Sequence, residues 1–237
     1  MDNIPAYVGL MFILTTLTTL GFVLFGIFQA QENKNNKTFI SVTVILTAWL
    51  GLVALLALNG FYSNFEAFPP RLVFALLPPT LAIIFLTLNA KSRAFLQKIP
   101  ITTMTYLHII RVPVEIVLWW MFLGGLVPKL MTFEGINYDI LSGITAPFIA
   151  IFAVGFKNKR RIAAILWNFI ALGLLFNIVG HALLSAPSPF QKLAFDMPNI
   201  GVFYFPFVWL PAFVVPAVLF AHIVSLLKLF ERKNQLK

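Results

Sequence analysis

The sequence predicts an all-α, polytopic integral membrane protein: seven transmembrane helices in one bundle, N-terminus outside and C-terminus in the cytoplasm. Three observations predict it. Hydrophobic residues make up 60% of the 237 positions and charged residues only 11%, where a soluble domain carries about a quarter charged. The mean hydropathy is +0.92, and the apolar residues fall in long runs, the mark of repeated membrane spans. Lysine and arginine collect in alternate loops, which sets orientation.

The runs place spans at 5–30, 38–60, 70–89, 101–123, 138–156, 162–185 and 203–230 within a single domain, 1–237. Each is near the ~20 residues needed to cross hydrocarbon. The first and last are longer, which predicts tilt or protrusion into the headgroups. The first run is also too long for a cleaved signal and lacks a positive leader, so it reads as a retained helix.

Span one carries Thr15, Thr18, Thr19 and Gly21, and span two Thr47, Gly51 and Ala54. Small residues let helix backbones approach, so both sets are expected at packing contacts. Span three holds Pro78-Pro79, span four Pro113, span five Pro147, and span seven Pro206, Pro211 and Pro216. An interior proline removes one backbone bond and crowds the preceding turn, which predicts kinks. It also frees carbonyls that need partners from neighbouring helices or water.

Charge fixes the expected orientation. Loops 1–2, 3–4, 5–6 and the C-terminal tail hold Lys34, Lys37, Lys91, Arg93, Lys98, Lys157, Lys159, Arg160, Arg161, Lys228, Arg232, Lys233 and Lys237, or 13 of the 17 basic residues. The opposite side holds Arg71, Lys129 and Lys192, with the acids Asp2, Glu66, Glu134, Asp139 and Asp196. The basic side is the cytoplasmic one. A net charge of +9 spread over short loops suits a membrane surface, of a bacterial cytoplasmic or other plasma membrane, and not a nucleic-acid partner. The expected partners are therefore the lipid bilayer and a small-molecule, anion or proton ligand.

The chain has no cysteine, which excludes disulfides, thiolate catalysis and Cys-bound metal. No Gly-rich phosphate loop, Gly-x-Ser-x-Gly elbow or His-Glu-x-x-His motif occurs, so nothing points to an enzyme. A retinal Schiff base would need a lysine inside a span, and Lys228 stands at the end of the seventh. The longest connection, 185–201, reads as a packed cap over the outer end. No internal repeat indicates an inverted-repeat transporter.

The candidate site residues are the polar groups inside the spans. His108, Arg111 and Glu115 fall within about 60° of one another on a helix and share a face. His108 is expected ~6 Å to the cytoplasmic side of the midplane, Arg111 near it, and Glu115 ~5 Å to the outer side. Arg111 and Glu115 can pair at i,i+4, in the less favourable order. Asn177 and His181 lie on one face of span six, and Asp139 at the start of span five serves as a helix cap or a site group. Asp139 and His181 are expected at one depth, ~12 Å above the midplane. His222 is expected ~9 Å to the inner side, level with His108.

These residues divide into two layers. Arg111, Glu115, Asp139, Asn177 and His181 form an outward-facing polar site for a small molecule, ion or proton, as in a transporter or sensor. Arg111 would hold an anionic group or set the potential, and Glu115 would exchange the proton. His108 and His222 form an inner layer, which as the alternative could hold haem or a metal in a redox protein, since imidazole can be an axial haem ligand. His181 is ~20 Å from that layer, so no zinc could take all three histidines. Without a cofactor, the histidines serve helix-to-helix bonding, and the chain as a whole could be a non-catalytic scaffold subunit.

Overall fold

The computed structural model describes residues 4–31, 36–155 and 160–231, and no strand occurs among them. Lys34, Lys157, Lys159, Arg232, Lys233, Lys237 and Asp2, which enter the orientation argument, lie outside the described residues. Five helices are long and apolar enough to cross a membrane, or six if one sharply bent pair counts as a span.

Helix α1 (Ala6–Gln29) starts after Pro5, a residue whose fixed φ suits a helix entrance. Its Thr15, Thr16 and Thr19 hydroxyls donate to the carbonyls of Met11, Phe12 and Thr15. Satisfied within the helix, they can be buried among apolar neighbours. Gly21 faces open space; the tight position is Gly26, where a Cβ would press on Met104 and Ile99.

Helix α2 (Lys37–Leu58) buries only Leu50, Val53 and Ala57. The expected small-residue contact is not made. Thr47 and Gly51 are exposed, and a Cβ on Gly51 would meet nothing within 4 Å. Two indoles dock α2 instead: Trp49 Nε1 donates to the Ala212 carbonyl at 2.9 Å, and Trp209 Nε1 to the Leu50 carbonyl at 3.0 Å. Pro216 has no N–H to offer Ala212 four residues back, so Trp49 supplies a donor that the proline removed.

Helix α3 (Val73–Leu88) ends at Asn89, where the chain turns by 96° into α4 (Ala90–Leu96). Asn89 is extended, and its Oδ1 accepts from the Lys91 and Ser92 N–H groups, an N-cap that fixes the bend.

Helix α5 (Ile101–Leu107), a 3-10 turn (His108–Ile110) and α6 (Arg111–Leu123) together form one apolar stretch. The turn tightens just before Pro113, whose ring crowds the carbonyl of Ile109. Helix α7 (Ile140–Ile149) contains Pro147 and runs on as a π-helical segment, Ala150–Gly155. Together they are shorter than the five long helices. Helix α8 (Arg161–Ser185) is continuous.

The last helix starts later than 203. Residues 205–208 form turns, a π-helical segment covers Leu210–Val214, and α9 spans Val215–Glu231. Tyr204 is extended, and Pro206 has no N–H to carry a helix through it. Pro206 is therefore outside the helix, and only Pro211 and Pro216 bear on it. Helix α9 packs on α5, α8 and α3, while α1 packs on α5 and α6. Most of the long apolar side chains on α2, on α3 and on one face of α8 remain exposed, as a lipid-facing surface requires.

Candidate functional site

Where α6 and α7 cross, Gly143 sets the depth. A Cβ there would fall 2.8 Å from Val112 Cγ2 and 2.9 Å from the Val112 backbone N. Gly143 is thus level with Arg111–Val112. Asp139, one turn earlier, stands about 6 Å toward Glu115. This corrects the expected depth: Asp139 is level with Glu115, not with His181. The connection from α6 to α7 must turn back into the bundle to deliver it.

At that level Arg111 Nε lies 3.0 Å from Asp139 Oδ2, and Nη2 donates to the Ala171 carbonyl of α8 at 3.0 Å. Arg111 therefore joins α6, α7 and α8. The i,i+4 partner expected for it, Glu115, is engaged elsewhere. Glu115 Oε1 accepts from Asn137 Nδ2 at 2.6 Å, and the same nitrogen donates to the Met131 carbonyl. Asn137 Oδ1 accepts from the Asp139 N–H at 3.1 Å. Asp139 occupies the N-cap position of α7, but its side chain makes no capping bond. The carboxylate goes to Arg111, and Asn137 bonds the turn in its place.

Arg111, Glu115 and Asp139 line a cavity of about 70 Å³, joined by Asn199 from the connection between α8 and the last helix. A water needs roughly 10–15 Å³, so several would fit. All four residues are buried, and each keeps a side-chain atom without a hydrogen-bond partner: Arg111 Nη1, Glu115 Oε2, Asp139 Oδ1 and Asn199 Oδ1. The remaining lining is apolar and comes from α3, α6, α8, α9 and the segments beside them.

Asn177 and His181 do not line this cavity. His181 Nδ1 is 2.8 Å from the Asn177 carbonyl on its own helix, and Asn177 Nδ2 donates to the Ile136 carbonyl at 3.1 Å. Asn177 thereby braces the strand of chain that carries Asn137, from outside the site.

The inner layer is a stacked pair. The His108 and His222 rings are 4.1 Å apart between centroids and inclined by 35°, and both residues are fully buried. Asn168 Nδ2 donates to the Ala164 carbonyl, which leaves its Oδ1 to accept from His222 Nδ1 at 2.9 Å. His222 Nε2 and both His108 nitrogens have no partner. Trp167 borders both rings and donates to Thr145 Oγ1 on α7.

This geometry does not fit haem. Two axial imidazoles on one iron need centroids roughly 6 Å apart, from two ~2 Å metal bonds and the ~1 Å from nitrogen to ring centre on each side. Stacked rings at 4.1 Å leave no room for a macrocycle. Among the described residues no group of three His, Cys, Asp or Glu could hold a metal ion.

Three residues of these networks lay outside the sequence-derived set. Asn168 carried a signal, as an amide in the middle of a span. Asn137 carried a weaker one, as the polar residue that opens span five beside Asp139, and Asn199 carried none, because a loop asparagine is ordinary until a fold turns the loop inward. The chain matches no known family model, no curated protein and no solved structure.

Proposed function

We propose that this chain is a seven-span membrane protein, N-terminus outside, that handles a small molecule, ion or proton at the Arg111–Glu115–Asp139 cavity, as a transporter or sensor. The alternating basic loops support the orientation. The fifth crossing is α7 with the π-helical segment after it, Ile140–Gly155, too short to span alone in a flat bilayer and aided by local thinning.

One observation carries the functional reading: four buried polar residues line a single cavity, each with an unpartnered atom. A buried polar atom without a partner costs about 1–3 kcal/mol, and more when charged. A guest that completes these bonds recovers that cost. Arg111 already faces Asp139, so with both carboxylates ionised the trio carries one formal negative charge. The site therefore favours a proton, a cation or a donor-rich group over an anion. Glu115 is the exchanging group, and Arg111 holds Asp139 in place.

The test is proton or monovalent-cation flux into proteoliposomes under an imposed potential, read with a pH-sensitive or cation-sensitive dye. Glu115→Gln and Arg111→Leu are each expected to reduce the flux per folded protein at least tenfold. A second reading is architectural, because Arg111 ties three helices together. It wins if the variants lower only thermal stability and leave flux at the wild-type level.

A further inference from the structure

The cavity is closed toward the outer loops and open toward the bilayer. Met131, Asn199 and Val202, which form its lining on the loop side, are all buried. The lining residues that retain exposure belong to helices: Leu76 on α3, Val179, Ala182 and Leu183 on α8, and Leu210 at the head of the last helix. Leu183 is 43% exposed. Helices α3 and α8 both pack against α9 and share no extensive contact with each other, so α9 forms the back wall of a slot between them. Its mouth is apolar, and its inner lining carries Arg111, Glu115 and Asp139.

We propose that the guest reaches this site sideways from the lipid, through the slot between α3 and α8, and is an amphiphile with a cationic, hydrogen-bond-donating head and an apolar tail. This rests on the reading of the Arg111–Glu115–Asp139 cavity as a binding site. A side entrance lined by leucine, valine and alanine admits hydrocarbon without desolvating any polar group. A hydrated ion would have to shed its shell to take the same path. The lining offers three unpartnered acceptors, Glu115 Oε2, Asp139 Oδ1 and Asn199 Oδ1, against the Nε and Nη1 donors of Arg111 alone, and Nε already faces Asp139 as an ion pair. That excess of acceptors, and the extra carboxylate beyond the one Arg111 pairs with, select an ammonium-like head over a carboxylate or phosphate. The tail stays in the slot, where its neighbours are apolar.

The probe is dodecylamine, compared with ethylamine (the same head without the tail) and laurate (a similar tail with an anionic head). Binding to the full chain in lipid nanodiscs is read by native mass spectrometry. Dodecylamine is expected to bind at one site, at least tenfold more tightly than either analogue. Glu115→Gln should weaken it at least tenfold. Leu76→Trp and Leu183→Trp, which fill the mouth from lipid-facing positions, should block it, while Leu166→Trp elsewhere on the exposed face of α8 should not. Ethylamine binding as well as dodecylamine, or binding unchanged by both mouth variants, overturns the lateral route. Preference for laurate overturns the head group, and no amine binding at all overturns the proposal. The flux assay separates the two readings. Loss of flux in Glu115→Gln with normal dodecylamine binding leaves the ion site standing and removes the amphiphile.

Discussion

Arg111 Nε stands 3.0 Å from Asp139 Oδ2 on the neighbouring helix, although Glu115 lies four residues along its own. The pair is cross-helical because Gly143 lets α7 approach the backbone of α6, which brings Asp139 to the level of Glu115. Removing one member leaves the other charge buried. Arg111→Leu or Asp139→Leu should each destabilise by about 3–5 kcal/mol, and the double variant should regain much of that loss. A double-mutant cycle in reversible detergent denaturation measures it. Additive losses would mean that the two charges do not interact.

Gly143→Ala should open this crossing. The added Cβ meets the Val112 backbone nitrogen, which cannot rotate away. Overpacking of this kind costs about 1–3 kcal/mol, and flux should fall with it. Gly173→Ala on α8 is the control. Nothing lies within 4 Å of its Cβ position, so the change should be neutral or stabilise by up to about 1 kcal/mol.

Asn137→Ala removes the donor to Glu115 Oε1 and the Met131 carbonyl, and the acceptor for the Asp139 N–H. A loss of about 1–3 kcal/mol is expected for the unsatisfied carboxylate. Thermal unfolding in detergent checks it. A wild-type melting temperature would show that water replaces the amide at no cost and that Asn137 does not brace the site.

His222→Phe leaves Asn168 Oδ1 without its donor, at a cost of about 1–3 kcal/mol. His222→Phe combined with Asn168→Leu should cost less than the single change, since both polar partners are then gone. Haemin added to the purified wild-type protein should give no low-spin bis-imidazole spectrum. Such a spectrum would require the two rings to separate from their 4.1 Å stack.

Hydropathy alone located most helices. The predicted spans 5–30, 38–60, 101–123 and 162–185 match α1, α2, the α5–α6 stretch and α8 within about two residues, because a long apolar run has few other ways to satisfy its backbone in lipid. The misses have local causes. The run around Pro206 is apolar, but its residues form turns, so the last helix begins at Leu210. Thr47 and Gly51 have the spacing of a contact, yet spacing cannot say which side of a helix meets a neighbour, and they face outward.

The candidate site divides along the same line. The sequence by itself determined which groups are costly in lipid, that His108, Arg111 and Glu115 share a face, and which loops are basic. Helix periodicity and hydrophobic transfer are local properties, readable from one segment at a time. Only the tertiary structure decided that Arg111 faces Asp139, that Asn137 bonds Glu115, that Asn177 and His181 stay out of the cavity, and that the histidine rings stack. Those outcomes depend on the rotation of one helix against another and on a loop that turns back into the bundle. Both are set by non-local packing, at Gly143 against Val112 above all, which no periodicity within a single span encodes.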